Sequence, residues 1–214
     1  MQAAKTSTAQ TAEAEIKKGA NLSLRQRWID YLQERIDGSS LAVFRICFGV
    51  AMVVNVWIYA STISMQYVDP LLNFPLIPGL QPLPGNVTYA LFAVTAFSGA
   101  CVAMGLWYRV ATIVLFASFT CELALDASYY QNHFYLCSLL ALLFCIIPAN
   151  NTWSLDKPRT GCAGTVPRWA LATLKAQIFI VYFFGGIAKL NYDWLVRQQP
   201  LIRYLKETAS RDPW

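Results

Sequence analysis

Apolar residues fall into five long blocks separated by short polar or proline-rich breaks, near 40–60, 87–107, 109–126, 133–149 and 168–190. A helix that crosses a bilayer needs about 20 consecutive apolar residues. The pattern therefore predicts an all-α, polytopic integral membrane bundle of about five transmembrane helices, the fourth being short. Ahead of them Leu24, Trp28, Leu32 and Ile36 recur every four residues, and Arg25, Arg27, Asp30, Glu34 and Arg35 fill most positions between. One apolar and one charged face predict an amphipathic interfacial helix over 24–37 that lies on the membrane. Asp37-Gly38-Ser39-Ser40 stops it, and a serine caps the first membrane helix. Residues 1–23 have no apolar core and read as a disordered tail, not a cleavable signal peptide. Between the first two blocks, Pro70, Pro75, Pro78, Pro82 and Pro84 exclude a regular helix over 61–86.

Composition agrees with the pattern. The 214 residues are 56% hydrophobic and 14% charged, against about 25% charged in soluble domains. The net charge of +5 bears on orientation first, and no interleaving of basic and aromatic residues points to nucleic acid. Lys17, Lys18, Arg25, Arg27, Arg35, Arg109, Lys157, Arg159 and Arg168 lie in the tail and in alternate connections, whereas 61–86 and 127–132 hold no Lys or Arg. The positive-inside rule then places the N-terminus in the cytoplasm. The opposite face is the lumen of the endoplasmic reticulum in a eukaryote, or the outer side of the cytoplasmic membrane in a bacterium. Six cysteines without a CxxC pair, and a single histidine, argue for small buried thiols and against a disulfide framework or a metal.

Orientation also gathers chemistry. The turn between the third and fourth blocks and the end of the fifth both fall on the outer side. Asp126, Asn132, His133, Lys189, Asp193 and Trp194 are thereby predicted to share one face. Lys189 ends an apolar helix. It is either a general base, its amine freed by burial, or an anchor that snorkels to the interface. His133 is either a proton shuttle or donor to an anionic intermediate, or an interfacial residue bonded to a loop carbonyl. Glu122 and Asp126 share one helical face, and a buried partner role suits them better than a paired-carboxylate site. Arg45, near the start of its helix, reads as a snorkelling residue. Aromatic residues make up 14% of the chain and suit both an interfacial belt and the walls of a flat apolar ligand. Gly185-Gly186 allows a close helix approach or a kink before Lys189.

Several strings, weak singly, are strong together: Ser40-Leu-Ala-Val-Phe-Arg45, Phe74-Pro75-Leu76 with Pro82-Leu83-Pro84, Tyr108-Arg109, Asn132-His133 with Tyr135-Leu136, Trp153-Ser154-Leu155-Asp156, Gln177-Ile-Phe-Ile-Val-Tyr-Phe183 and Lys189-Leu-Asn-Tyr-Asp193-Trp194. From about residue 39 to 205 the chain resembles the N-terminal part of the vitamin K-dependent gamma-carboxylase family and its bacterial relatives, which share the HTTM membrane domain. Residues 206–214 read as a C-terminal tail. The resemblance implies conversion of protein glutamate to gamma-carboxyglutamate with vitamin K hydroquinone, O2 and CO2, and without a metal. By the same resemblance Lys189 is the hydroquinone base and His133 assists it. Asn132, Tyr182, Asp193 and Trp194 are the candidate residues for binding quinone and substrate. Ala188 stands where the family has a second lysine, and Leu72 where it has a cysteine. The family's enzymes continue past the position of Trp214 with more helices and a substrate-binding region. A further C-terminal part or a partner chain is then expected to complete such an enzyme. The rival expectations are a quinone-binding relative without carboxylase activity and a truncated, non-catalytic membrane scaffold.

Overall fold

The structure is a computed structural model that describes residues 23–70, 74–127, 131–156 and 164–211. Leu72, Tyr129, Tyr130, Lys157, Arg159, Cys162, residues 1–22 and residues 212–214 lie outside them. The chain divides into two compact units, Met1–Leu171 and Ala172–Trp214.

Among the described residues the chain is mostly helical. Helix α1 is Leu24–Gln33, α2 Ser39–Tyr59, α3 Gly85–Met104, α4 Tyr108–Leu125, α5 Asn132–Ile146, α6 Arg168–Ala188, α7 Tyr192–Leu195 and α8 Gln199–Arg211. Strands β1, Arg35–Asp37, and β2, Thr165–Pro167, form one short antiparallel pair. Helices α2, α3, α4 and α6 are long and apolar enough to cross a membrane. Helix α5 has only 15 residues, about 22 Å at 1.5 Å per residue. That is short of the roughly 30 Å hydrocarbon core, as the shortness of the fourth apolar block foretold.

Several helix ends have a local cause, although the serine cap expected for α2 is not formed: Gly38 stands at the cap without a side-chain bond. The Ser23 hydroxyl accepts the Gln26 N–H at 3.3 Å and starts α1. Helix α1 stops at Gln33, short of the 24–37 helix expected from the apolar repeat. Ile36 still follows that repeat, but it faces Val166 across the strand pair. Pro84 precedes α3, and Gly105, at φ +66°, ends it. Helix α5 ends where Ile147 becomes extended ahead of Pro148. Among its described residues the proline-rich connection holds a π-helical turn, Ser64–Val68. Its far side is fastened to the end of α4, where Leu76 N–H donates to Ala124 O at 3.0 Å and Ala127 N–H to Phe74 O at 2.6 Å.

In the first unit, α2 packs on α3, α3 on α4 and α4 on α5. Phe48 meets Phe144 at 5.2 Å between ring centroids, which ties α2 to α5. Helices α2 and α3 come close at Gly49 and Gly99. A Cβ on Gly49 would stand 2.5 Å from Gly99 O and 2.6 Å from Ala103 N. Small residues permit such an approach where helices lack a hydrophobic drive to associate in lipid.

Arg45 departs from the snorkelling expectation. It is fully buried, and its guanidinium donates to Ala149 O at 2.9 Å, Thr152 O at 3.4 Å and Trp153 O at 2.5 Å. The connection after α5 folds back over the helix end and supplies those carbonyls, so the guanidinium fork has partners without reaching water. Beside it, the Asp156 carboxylate accepts the N–H groups of Trp107 (2.9 Å) and Tyr108 (2.8 Å), capping α4. The Ser154 hydroxyl donates to Gly105 O at 2.6 Å. The Tyr108 hydroxyl lies 3.0 Å from Phe144 O and 2.9 Å from Ile147 O. Three of the motif strings thus meet in one knot that fixes the end of the bundle, and their role there is structural.

Candidate functional site

The second unit begins within α6, which runs on as a mostly apolar helix to Ala188, and Lys189 comes next. The Lys189 and Leu190 N–H groups bond back to Gly186 O and Ile187 O at 3.0 and 2.9 Å. The chain then reverses sharply, held by Asn191. Its side-chain oxygen accepts the Trp194 N–H at 2.9 Å, and its amide donates to Ala188 O at 3.0 Å. One side chain therefore staples the end of α6 to α7. The result places the Lys189 amine 5.3 Å from the centre of the Trp194 ring, within cation–π reach. Asp193 turns to Arg197, at 3.3 Å on an exposed side. Tyr182, Phe183 and Phe184 are exposed on α6.

Asn132 and His133 open α5 in the first unit, both exposed. The His133 ring stands against Phe134 at 4.3 Å between centroids. Phe134 in turn meets Tyr59 at 5.9 Å and Phe119 at 6.2 Å. These rings belong to the wall of a cavity of about 40 Å³, lined by Asn55, Tyr59, Gln66, Tyr67, Phe92, Phe119, Glu122, Leu123, Gln131 and Phe134.

Among the described residues Glu122 is the one carboxyl on that wall, and it is 3% exposed. Thr95 donates its hydroxyl to Glu122 Oε1 at 2.5 Å. The Ser118 hydroxyl lies 2.8 Å behind Thr95. Thr95 on α3 and Ser118 on α4 are themselves buried. Asp126, one turn on, is also buried. Sequence reading expected Glu122 to partner a lysine or a backbone group, whereas its partner is the Thr95 hydroxyl; it missed Thr95, Ser118 and Asn191. Thr95 was legible only as a polar residue within an apolar block. Asn191 was legible only as one polar residue of the string from Lys189 to Trp194.

The structure thus brings Lys189 and Trp194 together and pairs Asp193 elsewhere. It sets His133 on the outer side of a ring that walls a cavity with a buried carboxyl. The HTTM domain matches the chain over residues 33–213. No solved structure matches the chain.

Proposed function

Since the chain belongs to the HTTM domain family, the domain of the vitamin K-dependent carboxylases, we propose that it is a carboxylase-like membrane enzyme that oxygenates vitamin K hydroquinone and carboxylates protein glutamate. The observation that carries this reading is the Asn191 staple, which holds the Lys189 amine against the Trp194 ring at the end of an apolar helix.

An amine beside an aromatic face suits a flat phenolic substrate. The ring offers a stacking surface, Nζ in its neutral form accepts the hydroxyl proton, and the ring face then steadies the ammonium that results. Lys189 is the base, and Trp194 orients it and lines the quinone cleft with Tyr182. Asn132 and His133 assist, His133 as a proton carrier or as a donor to an anionic species. Asp193, in its exposed pair with Arg197, keeps a carboxylate away from the amine and leaves Lys189 without a competing ion partner on α7. The hydroquinone, O2 and CO2 are co-substrates, and the protein glutamate approaches from the non-cytoplasmic side.

Orientation is part of the same proposal. Arg25, Arg27 and Arg35 stand with Arg168, which pairs with Glu34 at 2.5 Å. This basic end is assigned to the cytoplasm, and the end bearing His133 to the lumen or the bacterial exterior. The membrane is that of the endoplasmic reticulum in a eukaryote or the cytoplasmic membrane in a bacterium.

The deciding experiment measures vitamin K epoxide formed by the protein in nanodiscs, with Lys189→Ala and Lys189→Arg beside wild type. Epoxide from wild type that is lost in both variants supports the base. Epoxide that survives Lys189→Ala removes Lys189 from the chemistry. Quinone binding without epoxide selects a quinone-binding relative, and neither selects a scaffold or a need for a further chain.

A further inference from the structure

The cavity beside Glu122 has a chemistry of its own, separate from the Lys189 amine. Glu122 is nearly fully buried and receives one hydrogen bond, from Thr95 to Oε1. Among the described residues its second oxygen has no partner, and no residue that lines the cavity is basic. A carboxyl within a membrane helix is costly unless it is paired.

Asn55 supplies an independent sign. It lies within the membrane-crossing helix α2, it lines the same cavity, and no described residue bonds its side-chain amide. Asn55 is part-buried, one turn before the end of α2, and its amide is open to the cavity rather than spent on a protein partner. Gln131 and Gln66 add further amide groups to the wall, and Gln66 already accepts from Thr62 at 3.3 Å. The rest is aromatic: Tyr59, Tyr67, Phe92, Phe119 and Phe134.

We propose that this cavity binds a small desolvated monovalent cation, an alkali ion or a primary ammonium, held by the Glu122 carboxylate and the Asn55 amide oxygen. A carboxyl on the wall, with no basic residue among the described lining, disfavours an anion. Calcium takes six to eight oxygens and magnesium keeps several waters, whereas among the described residues one carboxyl lines a cavity of about 40 Å³. Volume excludes a quinone: about 40 Å³ holds an ion with one or two waters at about 10–15 Å³ per water, not a fused ring. Ring faces favour a cation over a neutral polar guest. Thr95, backed by Ser118, presents its hydroxyl hydrogen to Oε1 and leaves the other oxygen for the guest.

The test is thermal unfolding of the purified protein in detergent, in chlorides of sodium, potassium, ammonium, methylammonium and N-methylglucamine at equal ionic strength. The proposal expects a higher midpoint in at least one small cation than in N-methylglucamine, lost in Glu122→Gln and reduced in Asn55→Leu. A gain with sodium or potassium identifies an alkali ion, and a gain confined to the ammonium salts identifies an amine. Equal midpoints in all five salts overturn the proposal, as does a cation effect that survives Glu122→Gln. Should Glu122→Gln fail to fold, equilibrium binding of radioactive sodium and of labelled methylammonium to wild type decides. Saturable binding of either, competed by the other salts, supports the site, and binding of neither sinks it. Neither arm depends on epoxide formation, so this inference and the carboxylase reading fail separately.

Discussion

The Arg45 guanidinium reaches the Trp153 carbonyl at 2.5 Å across 108 residues of sequence. It binds the first transmembrane helix to the connection after α5. Three further carbonyls, of Ala149, Thr152 and Ala103, share the same fork. Arg45→Met keeps the stem and removes every donor, leaving buried carbonyls unpaired. The expected loss is about 3 kcal/mol, read as a lower unfolding midpoint in detergent. Arg45→Lys should recover less than half of it, because one ammonium cannot span acceptors on opposite sides.

Gly105 touches the same knot from the other side. Its backbone has φ +66°, and a Cβ there would run into Ser154 Oγ and Arg45 Nη1. Gly79 has φ +89° with nothing within 4 Å, so an alanine there meets backbone strain alone. Gly79→Ala should cost about 1 kcal/mol. Gly105→Ala should cost roughly 2 kcal/mol more, since strain and overpacking add. Equal shifts in unfolding midpoint for the two would show that the knot yields to the extra methyl.

Asp156 caps α4 through two backbone N–H groups. Asp156→Ala removes both acceptor oxygens and should cost about 1–2 kcal/mol. Asp156→Asn keeps one acceptor oxygen and should lie between, as measured by the same unfolding assay.

The bundle was legible because lipid imposes a coarse rule on the chain: about 20 apolar residues per crossing, with breaks between. The five blocks match α2–α6 to within a few residues for that reason. Arg45 was misread because the rule for a charged residue near a helix end supposes open water within reach. Only the fold-back of 149–153 supplies carbonyls instead, and nothing local to Arg45 announces it. The stop of α1 at Gln33 was hidden likewise, since pairing of Ile36 with Val166 joins residues far apart in sequence. At the candidate site, Lys189 and Trp194 were readable because they lie close in sequence, on either side of one turn. The Glu122 cluster required α3 and α4 to align Thr95 with Ser118, and helical phase alone does not fix which faces of two helices meet.

Orientation is directly testable. In a cysteine-free background, Gly79→Cys and Arg25→Cys place single thiols at exposed positions in the proline-rich connection and on α1. In sealed, right-side-out bacterial cells, a membrane-impermeant thiol reagent should label the first and spare the second. The reverse pattern would place the basic end outside and contradict the positive-inside assignment.

Asn191 offers the sharpest separation of positioning from folding. Its side chain bonds Ala188 O and Trp194 N–H, both exposed, so Asn191→Ala should leave the unfolding midpoint within about 0.5 kcal/mol of wild type, as surface changes do. The same change frees α7 from the end of α6 and lets the Trp194 ring leave the Lys189 amine. If Lys189 is the base, kcat for epoxide formation should fall about tenfold, the equivalent of roughly 1.4 kcal/mol in the barrier, with KM little altered. Asn191→Asp keeps the oxygen that accepts the Trp194 N–H and loses only the amide donor to Ala188 O, so it should restore most of the rate. Trp194→Phe keeps a ring with a weaker face for a cation and should fall between. A rate unchanged in Asn191→Ala would mean that the amine needs no fixed partner. A rate lost equally in Asn191→Ala and Asn191→Asp would mean that the bond to Ala188 O, and not the hold on Trp194, sets the position of Lys189.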